Sequence, residues 1–114
     1  MESGYKKLIV WQKSIQLVVY IYEITATLPK TEQYGISSQI QRAAVSIPSN
    51  IAEGSRRRSA KEKETFFRIA FGSASEVETQ IEILKRLSFS KNLDYSKIDS
   101  LLEEILKMLN KLSY

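Results

Sequence analysis

The sequence predicts an all-α fold, an antiparallel up-down-up-down four-helix bundle made of one domain over residues 1–114. Three observations lead to this prediction. Apolar residues recur every three or four positions along four segments, which is the period of an amphipathic helix. The connections between these segments are short, as they are in antiparallel bundles. No segment shows the period-two alternation or the turn pair of a β-hairpin.

The first helix is predicted over about residues 10–27, because apolar stripes run along it and Pro29 disfavours the α conformation in the residue before it. The second helix is predicted over about residues 35–53 and contains Pro48. A proline there removes one backbone donor and predicts a kink; a true break, with Pro48 in the first turn of a new helix, is the alternative. The isoleucine spacing continues in phase across the proline and favours the kink. Gly54 is predicted to end this helix.

The third helix is predicted over about residues 60–87 and has the clearest start in the chain. Ser59 and Glu62 are spaced as a capping box, in which each side chain accepts a hydrogen bond from the other's backbone N–H. Gly72 lies in a run of small residues in mid-helix, where glycine is unfavourable, and this predicts the close approach of another backbone. The fourth helix is predicted over about residues 96–112, with isoleucine and leucine along one face.

Composition excludes several classes of function. The 114 residues include no Cys and no His, so disulfides, zinc sites and histidine-based proton transfer are not expected. A di-iron bundle, which needs Glu-x-x-His pairs, is excluded for the same reason. We therefore expect no metal and no cofactor. There is no recognisable signal peptide and no apolar run that could span a bilayer, so the expected location is the cytoplasm, without membrane attachment.

The predicted topology gathers positive charge at one end of the bundle. The start of the first helix, the turn between the second and third, and the end of the fourth share that end. Their cations form what we call the basic pole: Lys6, Lys7, Lys13, Arg56, Arg57, Arg58, Lys61, Lys63, Lys107 and Lys111. Carboxylates dilute it in part: Glu2, Glu53, Glu62 and Glu64. The other end carries Lys30, Lys85, Arg86, Lys91 and Lys97.

The basic pole is the candidate nucleic-acid-binding site of this chain. Arginine and lysine side chains bind phosphate, and the net charge of +4 is compatible with a polyanionic partner. The predicted contacts are Arg56, Arg57, Arg58, Lys61, Lys63, Lys6 and Lys7. The alternative interpretation is that an arginine-rich turn is simply solvated. Trp11, Tyr20 and Tyr22 have the spacing of core or subunit-interface residues rather than of a base-stacking platform, and the second apolar stripe of the first helix predicts an oligomer.

A polar stripe runs along the second helix through Arg42, Ser46, Asn50 and Glu53. We expect an ion pair between Arg42 and Glu76, with Ser46 and Asn50 hydrogen-bonded to the third helix. The alternative is catalytic, with Glu53 and Glu76 as paired carboxylates. No nucleophile, phosphate-cradling loop or metal site accompanies them, so the chain is predicted not to be an enzyme.

The motif Ser46-Ile47-Pro48-Ser49-Asn50-Ile51-Ala52-Glu53-Gly54, together with Phe71-Gly72-Ser73-Ala74-Ser75-Glu76, resembles the four-helix-bundle proteins of the 23S rRNA intervening sequence type, or S23 ribosomal protein family. The resemblance covers nearly the whole chain. The positions that match the family pattern are Arg42, Ser46, Asn50, Glu53, Gly54, Gly72, Ser73 and Glu76. Phe71 stands where many relatives have arginine.

The resemblance implies a bacterial, cytoplasmic bundle encoded in or near elements inserted into 23S rRNA genes. Relatives form ring-shaped homopentamers, and a related branch assists the reverse transcriptase of diversity-generating retroelements by binding nucleic acid through a basic surface. Combined with the basic pole, this predicts a non-enzymatic oligomer that binds RNA, or else DNA. The alternative function is a protein-binding scaffold or accessory subunit, for example of a reverse transcriptase.

Overall fold

The protein is represented by a computed structural model that describes residues 4–113. Four α-helices form the bundle: α1 Ile9–Thr25, α2 Ile36–Ser55, α3 Ala60–Leu84 and α4 Ser96–Ser113. Short 3-10 turns, Gly4–Lys7 and Lys30–Glu32, precede α1 and α2. No strand occurs between residues 4 and 113. The all-α prediction is confirmed, and within the described range no helix is long and apolar enough to cross a bilayer.

Each helix packs against the two helices that adjoin it in an antiparallel ring. α1 contacts α2 and α4, and α3 contacts α2 and α4, whereas helices on opposite corners make no close backbone contact. Lys13 of α1 forms an ion pair with Glu104 of α4, and Lys97 at the start of α4 lies over the ring of Tyr20. These two contacts show that α1 and α4 run in opposite directions. The order of contacts is that of an up-down-up-down bundle.

The core lies along the central axis and is made of aliphatic side chains from all four helices. The fully enclosed large side chains include Leu17, Ile21, Ile40, Ile47, Ile51, Ile81, Leu84, Ile105 and Leu109. Burial of each such side chain is worth about 1.5–3 kcal/mol, so this axis is the main source of stability. It also fixes which faces of the helices turn outward, and therefore positions the polar and charged residues described below.

Pro48 does not break α2, which runs as one helix from Ile36 to Ser55. The side chains that follow the proline add hydrogen bonds to this part of the helix. Ser49 Oγ donates to the carbonyl oxygen of Val45, and Asn50 Nδ2 donates to that of Ser46, both at 2.8 Å. The carbonyl that Pro48 leaves without its backbone donor is that of Ala44, and these two bonds go to the carbonyls of the next two residues. The sequence preference for continuity over a break is therefore correct.

The two glycines of the family pattern are used differently from the sequence prediction. Gly54 does not end α2 through a left-handed conformation, because no described glycine has a positive φ. A Cβ at Gly54 would lie 2.9 Å from Cε1 of Phe67 and 3.0 Å from Cβ of Phe66, so this position allows α3 to approach. Gly72 is exposed, and a Cβ there would meet no atom within 4 Å. The expected close approach at Gly72 is wrong.

The ends of α3 are held by side-chain hydrogen bonds. Ser59 Oγ accepts the backbone N–H of Glu62 at 3.1 Å, which confirms the predicted N-cap. The helix ends at Leu84, three residues earlier than predicted, and Ser90 Oγ donates to the Leu84 carbonyl at 2.7 Å. Tyr95 Oη in turn donates to the Ser90 carbonyl at 2.7 Å, and its burial raises the pKa of the phenol.

Candidate nucleic-acid interface

The three cationic segments meet at one end of the bundle, as the topology predicted. The guanidinium of Arg56, at the end of α2, lies 5.1 Å from the ring centre of Tyr5, just before α1. The ion pair between Lys13 and Glu104 places the second half of α4 beside the same end of α1. The basic pole is therefore formed by residues that are far apart in the sequence. Glu2 lies outside the described residues.

Part of the charge of the pole is neutralised by carboxylates of the same chain. Lys13 pairs with Glu104, and Lys107 Nζ lies 3.1 Å from Glu103 Oε1, one turn earlier on α4. These α4 carboxylates were not among those expected to dilute the pole. Exposed pairs contribute only about 0–1 kcal/mol each to stability. They nevertheless reduce the charge that Lys13 and Lys107 offer to a partner.

Arg57 differs from its two neighbours. One terminal nitrogen lies 2.8 Å from Glu53 Oε1, the guanidinium carbon lies 4.7 Å from the ring centre of Phe66, and Nε is enclosed without a hydrogen-bond partner among the described residues. Arg57 thus holds the end of α2 against the start of α3. It is less available to a ligand than the sequence prediction assumed.

The other predicted contacts remain available. Among residues 4–113, no ion pair includes Lys6, Lys7, Arg56, Arg58, Lys61 or Lys63. All of them are exposed except Lys63, which is half-buried. The neighbouring carboxylate of Glu64 lies 3.5 Å from Arg68 on its own helix. The pole therefore presents a group of unneutralised cations at the tip of the α2–α3 hairpin and beside it.

An aromatic cluster that the sequence pattern does not predict adjoins these cations. The ring of Tyr5 lies between Arg56 and Trp11, with 5.4 Å between the Tyr5 and Trp11 ring centres in an edge-to-face arrangement. A cavity of about 430 Å³ opens beside it, lined by Gly4, Tyr5, Leu8, Ser55 and Arg56. The available signal was an aromatic residue directly before Lys6 and Lys7, upstream of the predicted helix.

The polar stripe of α2 makes one of its expected contacts with α3. Ser46 Oγ and Ser73 Oγ are 2.8 Å apart and share a hydrogen bond. Asn50 does not reach α3; its Nδ2 donates to the carbonyl and hydroxyl oxygens of Ser46 on its own helix. The predicted bond from Asn50 to the third helix is wrong, because an asparagine side chain readily bonds to the backbone one turn earlier.

The predicted ion pair between Arg42 and Glu76 is also absent from the part of the chain that the structure describes. The two side chains line a common cavity of about 350 Å³, but no salt bridge joins them. Glu76 Oε2 instead accepts from Gln80 Nε2 at 3.3 Å. Both side chains are exposed, so water solvates them at little cost and an ion pair would add little stability.

Glu53 and Glu76 do not form a carboxylate pair. Glu53 follows Arg42 by eleven residues on α2, which places it roughly 16 Å further along the helix than the cavity that Glu76 lines. Within residues 4–113, no group of three or more acidic side chains is placed to hold a metal ion. The catalytic alternative therefore has no geometric support.

An apolar groove lies between α1 and α2. Its lining is Tyr5, Trp11, Ile15, Val18, Val45, Pro48, Ser49 and Ala52, around a volume of about 260 Å³. Val19 and Tyr22 extend the apolar surface along α1, with 44% and 47% of their area exposed. Of the two apolar stripes of α1, the one through Trp11, Ile15, Val18 and Tyr22 is thus left partly uncovered, as expected for a surface that contacts another molecule.

Comparison with known proteins agrees with the architecture. A family model described as 23S rRNA-intervening sequence protein matches residues 6–111. Among solved structures, the chain is similar to a protein of unknown function from the S23 ribosomal protein family of Bacteroides thetaiotaomicron VPI-5482. The two share 27% identity with a TM-score of 0.78, over 92% of this chain and 98% of that chain. No curated protein matches.

Proposed function

The chain belongs to the 23S rRNA-intervening sequence protein family, and we propose that it is a non-enzymatic, oligomeric bundle that binds RNA, or else DNA, through the basic pole. The observation that carries the proposal is the group of exposed cations without ion pairs at one end of the molecule. The same end contains Arg56 and Arg58, whose planar guanidinium groups can each donate two parallel hydrogen bonds to a phosphate.

Phosphate contacts would dominate the affinity. Each phosphate that a cation neutralises releases counterions, so the logarithm of the binding constant falls linearly with the logarithm of salt concentration. The slope is about −0.7 per neutralised phosphate for single strands and about −0.9 for duplex. With Lys6, Lys7, Arg56, Arg58, Lys61 and Lys63 all engaged, the slope would be about −4 to −5. Contacts to phosphate position the nucleic acid without reading its sequence, so sequence specificity should be weak.

The experiment compares two charge-reversed variants. The first carries Arg56→Glu, Arg58→Glu and Lys61→Glu at the pole. The second, the matched control, carries Lys30→Glu, Arg86→Glu and Lys91→Glu at the opposite end. Each substitution removes two charges, so both variants change from +4 to −2 (4 − 3 × 2). Arg57 and Lys85 are left intact because both are paired. Lys85 lies 2.8 Å from Asp99, and this hydrogen bond raises the pKa of Lys85.

Binding of a fluorescent RNA hairpin is followed by anisotropy over a series of salt concentrations, and circular dichroism checks that both variants remain helical. We expect the pole variant to lose most of its affinity and its salt dependence, while the control stays close to the parent protein. Equal losses in the two variants would show that net charge, and not the pole, attracts RNA. Undiminished binding by the pole variant would likewise refute the proposal.

The apolar groove between α1 and α2 favours a second candidate function, assembly with another protein subunit. Contiguous exposed apolar surface is costly in a monomer and marks contact sites. A subunit seated on Val19 and Tyr22 would bury it, as in the ring-shaped homopentamer implied by the family resemblance. Under this proposal the bundle is a scaffold or accessory subunit, and the pole charge is incidental to its function.

Substitution of Val19 by Asp tests the assembly, with Gln16→Asp on the neighbouring exposed position of α1 as the matched control. Light scattering coupled to size exclusion measures the mass of each variant. We expect Val19→Asp to lower the mass and Gln16→Asp to leave it unchanged. Equal masses for all three proteins would refute assembly through this face. Tyr20 is a poorer probe because its ring already contacts Lys97.

A further inference from the structure

We propose that the basic pole recognises unpaired nucleotides, and that one base stacks on the Tyr5–Arg56 pair in the cavity beside it. This inference rests on the proposed RNA binding. The substrate class would then be RNA with a loop, bulge or free end rather than uniform duplex. The proposal is carried by the juxtaposition of an aromatic ring, a planar cation and a cavity within a group of phosphate-binding residues.

The geometry of the cluster suits a planar ligand. The Arg56 guanidinium lies over the Tyr5 ring at 5.1 Å from its centre, and Trp11 supports the same ring from the side at 5.4 Å. Arg56 is exposed, so its outer face is open to a further planar group. Bases of single-stranded RNA are commonly held on aromatic rings and on arginine planes in this manner.

The cavity is large enough for a nucleotide and has suitable walls. Its volume of about 430 Å³ lies within the range of roughly 300–1,000 Å³ that small-molecule sites occupy. Leu8 and the Tyr5 ring supply apolar surface. Ser55 supplies a hydroxyl that donates to the Ala52 carbonyl at 3.0 Å and can still accept a hydrogen bond. A Cβ at Gly4 would meet no atom of residues 4–113 within 4 Å.

The charges around the cavity match the backbone that a bound nucleotide would carry. Lys6 and Lys7 directly follow Tyr5, and both are exposed. Among residues 4–113, no carboxylate lines the cavity. A nucleotide whose base enters the cavity would therefore place its phosphates next to cations on both sides, those before α1 and those after α2. Duplex RNA cannot make the stacking contact without breaking a base pair, which predicts the preference for unpaired nucleotides.

The test uses substitutions that keep the charge or the bulk and remove only the stacking surface. Arg56→Lys retains the charge without the planar group, and Tyr5→Leu retains apolar bulk without the ring. Tyr5→Phe, which keeps the ring, and Arg58→Lys, the same change outside the cluster, are the matched controls. Each variant is titrated with a hairpin that has an unpaired loop and with a blunt duplex of the same stem sequence.

We expect Arg56→Lys and Tyr5→Leu to weaken binding of the looped RNA by roughly 5- to 150-fold, the effect of losing one stacked base, and to change duplex binding by less than about twofold. Tyr5→Phe should match the parent, and Arg58→Lys should affect both RNAs alike. Equal factors for loop and duplex in Arg56→Lys would overturn the inference while leaving phosphate binding intact. Failure of the parent to bind either RNA would instead overturn the proposed function.

Trp11 provides a second measurement that does not depend on the variants. It is the only tryptophan in the chain, and its ring contacts Tyr5. We expect looped RNA to change the tryptophan emission of the parent protein and duplex RNA to leave it nearly unchanged. The same response to both RNAs at saturation would contradict the inference, even if Tyr5→Leu proved too unstable to study.

Discussion

Replacing each of the two family-pattern glycines by alanine should change stability in opposite directions. Gly54 and Gly72 are both helical and carry negative φ. Alanine therefore suits the backbone at either position, and the outcome depends only on what the added methyl group meets. At Gly72 it meets no atom within 4 Å, whereas at Gly54 it lies 2.9 Å from a ring carbon of Phe67.

The magnitude follows from two effects. Alanine is favoured over glycine in a helix by about 0.8–1 kcal/mol, so Gly72→Ala should stabilise the protein by about that amount. At Gly54 the methyl group overlaps the buried Phe67 ring and lies 3.0 Å from Phe66 Cβ, which moves only with the α3 backbone. Such overpacking costs about 1–3 kcal/mol. After the gain in helix propensity, Gly54→Ala should destabilise by up to about 2 kcal/mol.

Urea denaturation followed by circular dichroism, at one protein concentration for all variants, measures both free energies. Because the propensity gain is common to both variants, the pair should differ by the overpacking cost of about 1–3 kcal/mol, which corresponds to a separation in melting temperature on the order of 10 °C for a domain of this size. If Gly54→Ala is as stable as Gly72→Ala, α3 can move away at no cost, and the interpretation of Gly54 as a close-packing position is wrong.

Two further predictions concern hydrogen bonds, one between α2 and the middle of α3 and one in the connection between α3 and α4. The Ser46–Ser73 bond should contribute about 0.5–1.5 kcal/mol, and the coupling energy from Ser46→Ala, Ser73→Ala and the double variant measures it; additive effects would show that the bond contributes nothing. Tyr95→Phe should cost about 1 kcal/mol near neutral pH, because the bond to Ser90 is lost. Burial raises the Tyr95 pKa in the folded state, so the unfolded chain ionises first. The stability from Tyr95 is therefore complete below about pH 10 and falls as pH rises towards the folded pKa. Urea titrations should show the penalty of Tyr95→Phe shrinking above about pH 10, and a constant penalty would contradict this.

The architecture was predictable because its signals are local. Helix period, the cap at Ser59 and the prolines can all be read within a few residues, and they place each helix within about three residues of its observed ends. The grouping of cations at one end of the bundle followed from the topology alone. The pair of Lys107 with Glu103 is an i,i+4 pair within α4, whereas the pair of Lys13 with Glu104 joins two helices and depends on helix rotation, which the apolar stripes only approximate.

Predictions that needed side-chain positions across two helices were less successful. Glu76, the expected partner of Arg42, lines the same cavity, but both side chains are exposed to solvent, and Asn50 bonds within its own helix. The roles expected for Gly54 and Gly72 were wrong because a glycine carries no signal for what faces it. Tyr5 was overlooked because it precedes the first periodic segment, in a 3-10 turn that has no apolar pattern.

Arg56, Arg57 and Arg58, which follow α2, are adjacent and identical but have different structural roles. The three arginines lie in the turn between α2 and α3, outside both helices, and their side chains make different contacts. Arg57 is turned against Phe66 and Glu53, while Arg56 and Arg58 remain outside. In a saturation-mutagenesis library, substitutions of Arg57 should therefore lower cellular abundance. Substitutions of Arg56 and Arg58 should instead lower ligand binding.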